Sequence, residues 1–329
     1  MKFYFPHDDM YTPTWRLLDM MLTLTLPIDR SKIINNFGFD YVVNTPIPAD
    51  THTSLTFAEI TDNNAEDIYK KRSNPVLLMW SGGIDSTTAI AAFINLGIDF
   101  TVGYTSSSEG EYPWLYKELM NNKWPQITML NIGDTRVDEL QKCYHLVTGL
   151  YADQLIGGVS MFVGGYGNYP YAVRPRLLED YKTVMPAFLL DFFQDSIDAF
   201  PGEVVDFCDF LWWMNFNLKY QSMHHTQITY MHSDTTNPDT YSHFYEGDEF
   251  QRWAMSNRAL NKEFAVKDDV SLYKIESRRY MFDVFRDQDY IDNKCKVSSA
   301  AAHYGEVIRE TGPTVIDKDG EMQLFWKEK

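Results

Sequence analysis

Residues 81–88 read Ser-Gly-Gly-Ile-Asp-Ser-Thr-Thr, which crowds two glycines, one carboxylate and four hydroxyls into a short stretch. Two glycines let a backbone turn tightly and bring its N–H groups close to an anion. Ser81, Gly82, Gly83, Ser86 and Thr87 are therefore candidates for a phosphate cradle, with Thr88 adding a further hydroxyl. Asp85 is the odd member, because a carboxylate repels phosphate. It becomes sensible if Mg²⁺ bridges the two. A second acid, Asp153, follows His145-Leu146-Val147-Thr148-Gly149 in a pattern that again reads as strand, loop and helix start. If its strand lies beside the first, Asp153 completes a divalent-metal site with Asp85.

These residues need a frame. The apolar run Val76–Trp80 reads as a strand, and Ser86–Leu96 as a helix that stops at Gly97. A helix N-terminus behind the glycine turn would favour an anion through its free N–H groups and dipole. Phe100–Thr105 and Ile127–Ile132 read as further strands, separated by a polar loop at 106–111 and a helix over 112–121. A short helix is expected over 137–144. Strands alternating with helices predict an α/β fold, a parallel doubly wound sheet with helices on both faces and a mainly helical region after it. In such sheets ligands sit beyond the carboxyl ends of the strands, where the 81–88 stretch falls. The expected division is an N-terminal region over 1–74, an α/β core over 75–170 that carries the phosphate cradle, and a helical region over 171–329. Within the first, Leu17–Leu24 suggests a helix ended by Pro27, and residues 63–72 an exposed one. Trp212, Trp213 and Phe216 read as core, and Asp319-Gly320 between apolar runs reads as a hairpin turn.

The net charge of −17, from 29 basic and 46 acidic residues, disfavours general electrostatic binding to nucleic acid or anionic lipid. Three scattered cysteines form no disulfide framework, which suits a reducing, cytoplasmic setting. No signal peptide or membrane span is read from the apolar stretches. His224, His225 and His232 match no zinc-ligand spacing.

Ser81-Gly82-Gly83-Ile84-Asp85-Ser86 resembles the SGGxDS pyrophosphate-binding loop of the PP-loop ATP pyrophosphatase superfamily, whose members split ATP between the α and β phosphates. The segment 148–158 resembles the TGEGADELFGG stretch of the asparagine synthetase synthetase domain, shared by β-lactam synthetases, at Thr148, Gly149, Ala152, Asp153, Leu155, Gly157 and Gly158. Residues 243–254 carry a looser similarity, and Lys274 with Arg278-Arg279 falls where that family has a basic helix. The resemblance implies a Rossmann-like, adenine nucleotide α-hydrolase-like fold, ATP and Mg²⁺ as cofactors, and adenylation of a small-molecule carboxylate followed by transfer to ammonia or an amine. It implies Asp85 and Asp153 as metal ligands, Gly149 beside the nucleotide, and Lys296 (with Lys294 next to it) as the catalytic lysine that reaches the adenylate and the departing phosphate.

Two departures stand out. The family has Glu where this chain has Leu150 and Gln154, near the second-step chemistry. Lys2 follows Met1, where glutamine-dependent members place a nucleophilic Cys, and the preceding region is short for a glutaminase domain. The chain is thus expected to take ammonia or an amine from elsewhere; a separate glutaminase or a homodimer stays open. Two other readings also stay open: a PP-loop enzyme acting on a base or nucleoside, by deazaguanine-type or thiolation chemistry, and a nucleotide-binding protein without turnover.

Overall fold

The computed structural model describes residues 28–33, 42–157, 194–223, 238–262, 265–267, 270–272, 274–293, 314–316 and 322–324. Expectations at Leu17–Leu24, at Gly158, at the three histidines, and at Lys294 and Lys296 lie outside the described residues. The chain divides into two compact units: one holds residues 1–47, 157–226 and 300–329, the other 48–156 and 227–299. These boundaries cut the chain differently from divisions at 75 and 170.

The second unit carries a five-stranded, all-parallel sheet. Its described elements are α1 (Phe57–Lys71), β1 (Val76–Met79), α2 (Ile84–Asn95), β2 (Phe100–Tyr104), α3 (Ser106–Glu111), α4 (Pro113–Met120), β3 (Ile127–Asn131), α5 (Val137–Gln141), β4 (His145–Thr148), α6 (Ala152–Leu155), β5 (Tyr241–His243), α7 (Asp248–Ser256), α8 (Arg258–Asn261), β6 (Ala265–Lys267), β7 (Val270–Leu272), α9 (Ile275–Phe285) and α10 (Gln288–Asn293). The sheet order is β3-β2-β1-β4-β5, and β6-β7 form a separate antiparallel pair. The chain steps from β1 outward to β3, then returns to lay β4 on the other flank of β1. Right-handed crossovers therefore place α2 and the α3–α4 pair on one face and α5 on the opposite one.

Strand parity matches this layering. Leu77, Leu146 and Tyr241 meet Val137 and Leu140 of α5 and Ile132 in one apolar cluster, with Met79 and Leu130 packed against it. Val76 and Leu78 alternate to the other face. There α2 is buried almost all round, from Ile84 to Ile94, because α1 and α9 cover the side turned away from the sheet. That explains a helix with scarcely any polar stripe.

Two elements differ from the expectation. α1 begins at Phe57 rather than near residue 63, because Thr56 and Glu59 form a reciprocal capping box that satisfies the first-turn N–H groups. The stretch 106–111, expected as a loop for its serines, is helix α3. One of its hydroxyls is buried and bonds to the chain: Ser108 Oγ accepts from Thr105 N at 3.1 Å and donates to the Trp80 carbonyl.

His145 opens β4 and is nearly buried, with Nε2 2.8 Å from Ser242 Oγ on β5. Burial pushes its imidazole below the usual value, against a smaller opposing pull from a hydrogen bond to the Asp239 backbone. The native state thus prefers the neutral ring, and the unfolded chain takes up the proton first. Stability contributed by His145 is complete above the ordinary imidazole pKa and is lost as pH falls through it toward the depressed folded value. The melting temperature of His145→Gln should accordingly fall less than that of the wild type between about pH 7 and 5; parallel curves would refute this.

In the first unit, helix Phe207–Met214 runs into a π-turn over Asn215–Lys219. Trp212, Trp213 and Phe216 are buried, as expected of core. Arg30 lies over the rings of Phe216 and Tyr220 and donates to the carbonyls of Phe216, Thr45 and Pro46. The buried carboxylate of Asp29 accepts from Ser31 N, Ile33 N and Asn217 Nδ2. These bonds offset the cost of burying both charges. Strands 314–316 and 322–324 pair antiparallel, and the expected turn residues Asp319-Gly320 between them lie outside the described residues.

Candidate active site

The sheet order reverses between β1 and β4, so the loops leaving these strands lie side by side at the topological switch point, where parallel sheets bind ligands. The loop after β1 is residues 80–83. Gly82 has φ 80°, and a Cβ there would lie 2.5 Å from Glu111 Cβ and 2.7 Å from the Ser108 carbonyl. Only glycine meets both demands, which is why α3 can pack directly against the loop. Ser81 and Ser86 close the turn: their Oγ atoms are 3.0 Å apart, Ser81 N donates to Ser86 Oγ at 3.2 Å, and Gly83 N donates to Ser81 Oγ at 3.3 Å. Gly83 caps α2 without a side-chain hydrogen bond, so the first turn presents backbone N–H groups rather than a capping oxygen. Thr87 is turned the other way. It is fully buried, and its Oγ1 accepts from Trp80 Nε1 at 2.9 Å. Thr88 Oγ1 bonds back to the Ile84 carbonyl at 2.8 Å.

The loop after β4 is held against this turn by Gly149. A Cβ at 149 would stand 2.7 Å from Ser86 N and 2.9 Å from Asp85 C, all backbone. The absent side chain lets β4 deliver its loop onto the first turn of α2. Tyr151 then takes the left-handed region at φ 77°, and α6 follows with Asp153 in its first turn. Thr148 Oγ1 and His243 Nδ1, 2.7 Å apart, fix the ends of β4 and β5 together. Leu150 is half-buried and Gln154 buried.

One cation joins the two acids. Lys274 Nζ lies 2.6 Å from both carboxylate oxygens of Asp85 and 2.6 Å from Oδ1 of Asp153. The Lys274 side chain is 2% exposed, against 25% for Asp85 and 44% for Asp153. The lysine itself is left-handed, with φ 57° and ψ 50°, at the N-cap of α9. A non-glycine residue there costs about 1 kcal/mol, and a positive charge at a helix N-terminus opposes the dipole. Two carboxylates within hydrogen-bond reach offset both. Beneath them the Tyr245 hydroxyl, from the segment after β5, donates to the Asp85 carbonyl at 3.3 Å. Burial first, and then the Asp85 charge, hold that hydroxyl well above the usual phenol range, so it stays a donor.

The structure thus brings together Ser81, Gly82, Gly83, Asp85, Ser86, Gly149 and Asp153 and adds Lys274 and Tyr245. Lys274 was placed by sequence in a basic helix but given no role. The available signal was a lysine opening a helix, where the dipole disfavours it. Two partly exposed carboxylates side by side suit the few-ligand demand of Mg²⁺. Among the described residues no cluster of three or more His, Cys, Asp and Glu forms a metal-only cage, and no helix is long and apolar enough to cross a membrane. Comparison with protein-family models and with curated proteins finds no match for the chain.

Proposed function

We propose that the chain is an ATP-dependent, AMP- and pyrophosphate-forming amide ligase of the PP-loop, asparagine synthetase-like type, with an adenine nucleotide α-hydrolase-like core and a C-terminal region that completes the site. The observation that carries this reading is the meeting of Asp85 and Asp153 on one cation, at the switch point, beside a glycine turn that opens a helix. Phosphate binds where first-turn N–H groups and the Ser81 and Ser86 hydroxyls converge. Mg²⁺ held by Asp85 and Asp153 would neutralise the leaving pyrophosphate. Lys274 adds a positive charge at the same mouth.

In the first step a substrate carboxylate oxygen attacks the α phosphorus. The bond to the β-phosphate oxygen breaks, and pyrophosphate departs with its electron pair. In the second step ammonia or an amine attacks the acyl carbon and AMP leaves. Lys296 is the proposed cation for the tetrahedral intermediate of that step. Leu150 and Gln154 supply no carboxylate there, so the incoming amine must be deprotonated by another group.

Incubation with ATP, Mg²⁺ and a panel of small carboxylates with ammonia should release AMP and pyrophosphate in equal amounts. Release of ADP would refute the reading, and tight ATP binding with no product under any substrate would favour a nucleotide sensor.

A further inference from the structure

The two carboxylates assigned to a divalent ion already hold a cation of the chain's own. We propose that Lys274 is an exchangeable counter-ion of this site: it holds Asp85 and Asp153 together while no divalent ion is present, and yields when the ion arrives with the nucleotide's phosphates. The proposal rests on the reading of Asp85 and Asp153 as metal ligands.

Three observations carry it. Both oxygens of Asp85 and one of Asp153 lie 2.6 Å from Nζ, so an ion using those oxygens must compete with the ammonium at contact distance. The carboxylates are open to solvent, at 25% and 44%, whereas the lysine is 2% exposed, so an arriving ion meets the acids while the ammonium stays enclosed. The lysine backbone is left-handed at the positive end of α9, a placement that the helix dipole opposes and the two carboxylates favour. A divalent ion that takes their charge repels the ammonium at contact distance, and polyphosphate oxygens arriving with the ion attract it, whereas a bare ion offers it no such oxygens.

It follows that divalent ion and nucleotide bind with positive coupling, and that Lys274 sets that coupling. The test uses the full chain and Mn²⁺ as a spectroscopic probe, counting free ion by electron paramagnetic resonance. Wild type should bind Mn²⁺ at least about tenfold more weakly alone than with a non-hydrolysable ATP analogue. In Lys274→Met, affinity for Mn²⁺ alone should rise at least about tenfold, and the coupling to the analogue should shrink toward none. Added Mn²⁺ should also raise the melting temperature of Lys274→Met more than that of wild type, since the ion then has no ammonium to displace from the two carboxylates. Lys274→Gln keeps a donor to the carboxylates and carries the same expectation should the Met variant fold poorly. Variants that bind Mn²⁺ alone no more tightly than wild type would overturn the exchange while leaving the metal-site reading intact. Mn²⁺ binding that ignores Asp153→Asn in both backgrounds would overturn the metal-site reading, and the exchange with it.

Discussion

Asp153→Asn is expected to lower AMP formation by roughly a thousandfold while leaving the fold in place, an effect in the range found when charge stabilisation is taken from a leaving group. The two acids are not equivalent. Asp153 is the more exposed of the pair and gives Lys274 one oxygen, whereas Asp85 gives two. Without the Asp153 charge, Lys274 keeps its ion pair with Asp85, and a buried ammonium is not left alone. Asp85→Asn should lose comparable activity and also stability, because the enclosed lysine then loses the charge of the acid that gives it two oxygens. Pyrophosphate release, read beside thermal denaturation, separates the two: Asp153→Asn should be inactive and nearly as stable as wild type, Asp85→Asn inactive and less stable. An Asp153→Asn variant turning over at about the wild-type rate would remove Asp153 from the chemistry.

Gly149→Ala is the second large effect expected. One methyl group must fit where Ser86 N stands 2.7 Å away and Asp85 C 2.9 Å away. Both are backbone, so no side-chain rotation relieves the overlap; either β4 or the first turn of α2 must move. Overpacking of this kind costs about 3 kcal/mol at the upper end of its usual range. The same movement shifts Asp85 relative to Asp153. A displacement of about 1 Å at a reacting centre can cost about a hundredfold in rate. The urea midpoint should fall and nucleotide affinity with it. An alanine variant with wild-type stability would show that the loop yields easily and that Gly149 serves some other purpose.

Much of the sheet was legible because its signals are local. An apolar run, a Ser-Gly-Gly turn and a helical pattern follow one another through β1 and α2, and the structure sets them at Val76–Met79 and Ile84–Asn95. The serine-rich α3 was not legible, since hydroxyls suggest solvent until Ser108 is seen bonded to Thr105 N and Trp80 O. Nor was β5: Tyr241-Ser242-His243 is too short for a strand pattern, and it is a strand only because β4 lies beside it, Leu146 opposite Tyr241 and Thr148 opposite His243.

The candidate site divides the same way. The sequence alone determined the glycine turn, the two acids and their likeness to a pyrophosphate-binding loop, because each rests on neighbours a few positions apart. Only the tertiary structure decided that Thr87 faces the Trp80 indole, that Gly149 is demanded by the backbone of Asp85 and Ser86, and that Lys274 bridges both acids from 189 and 121 positions away. The physical reason is that residue spacing along a strand, turn or helix follows from local geometry. Contact between a lysine and two carboxylates at such distances follows only from the order in which the strands are laid side by side, with β4 beside β1.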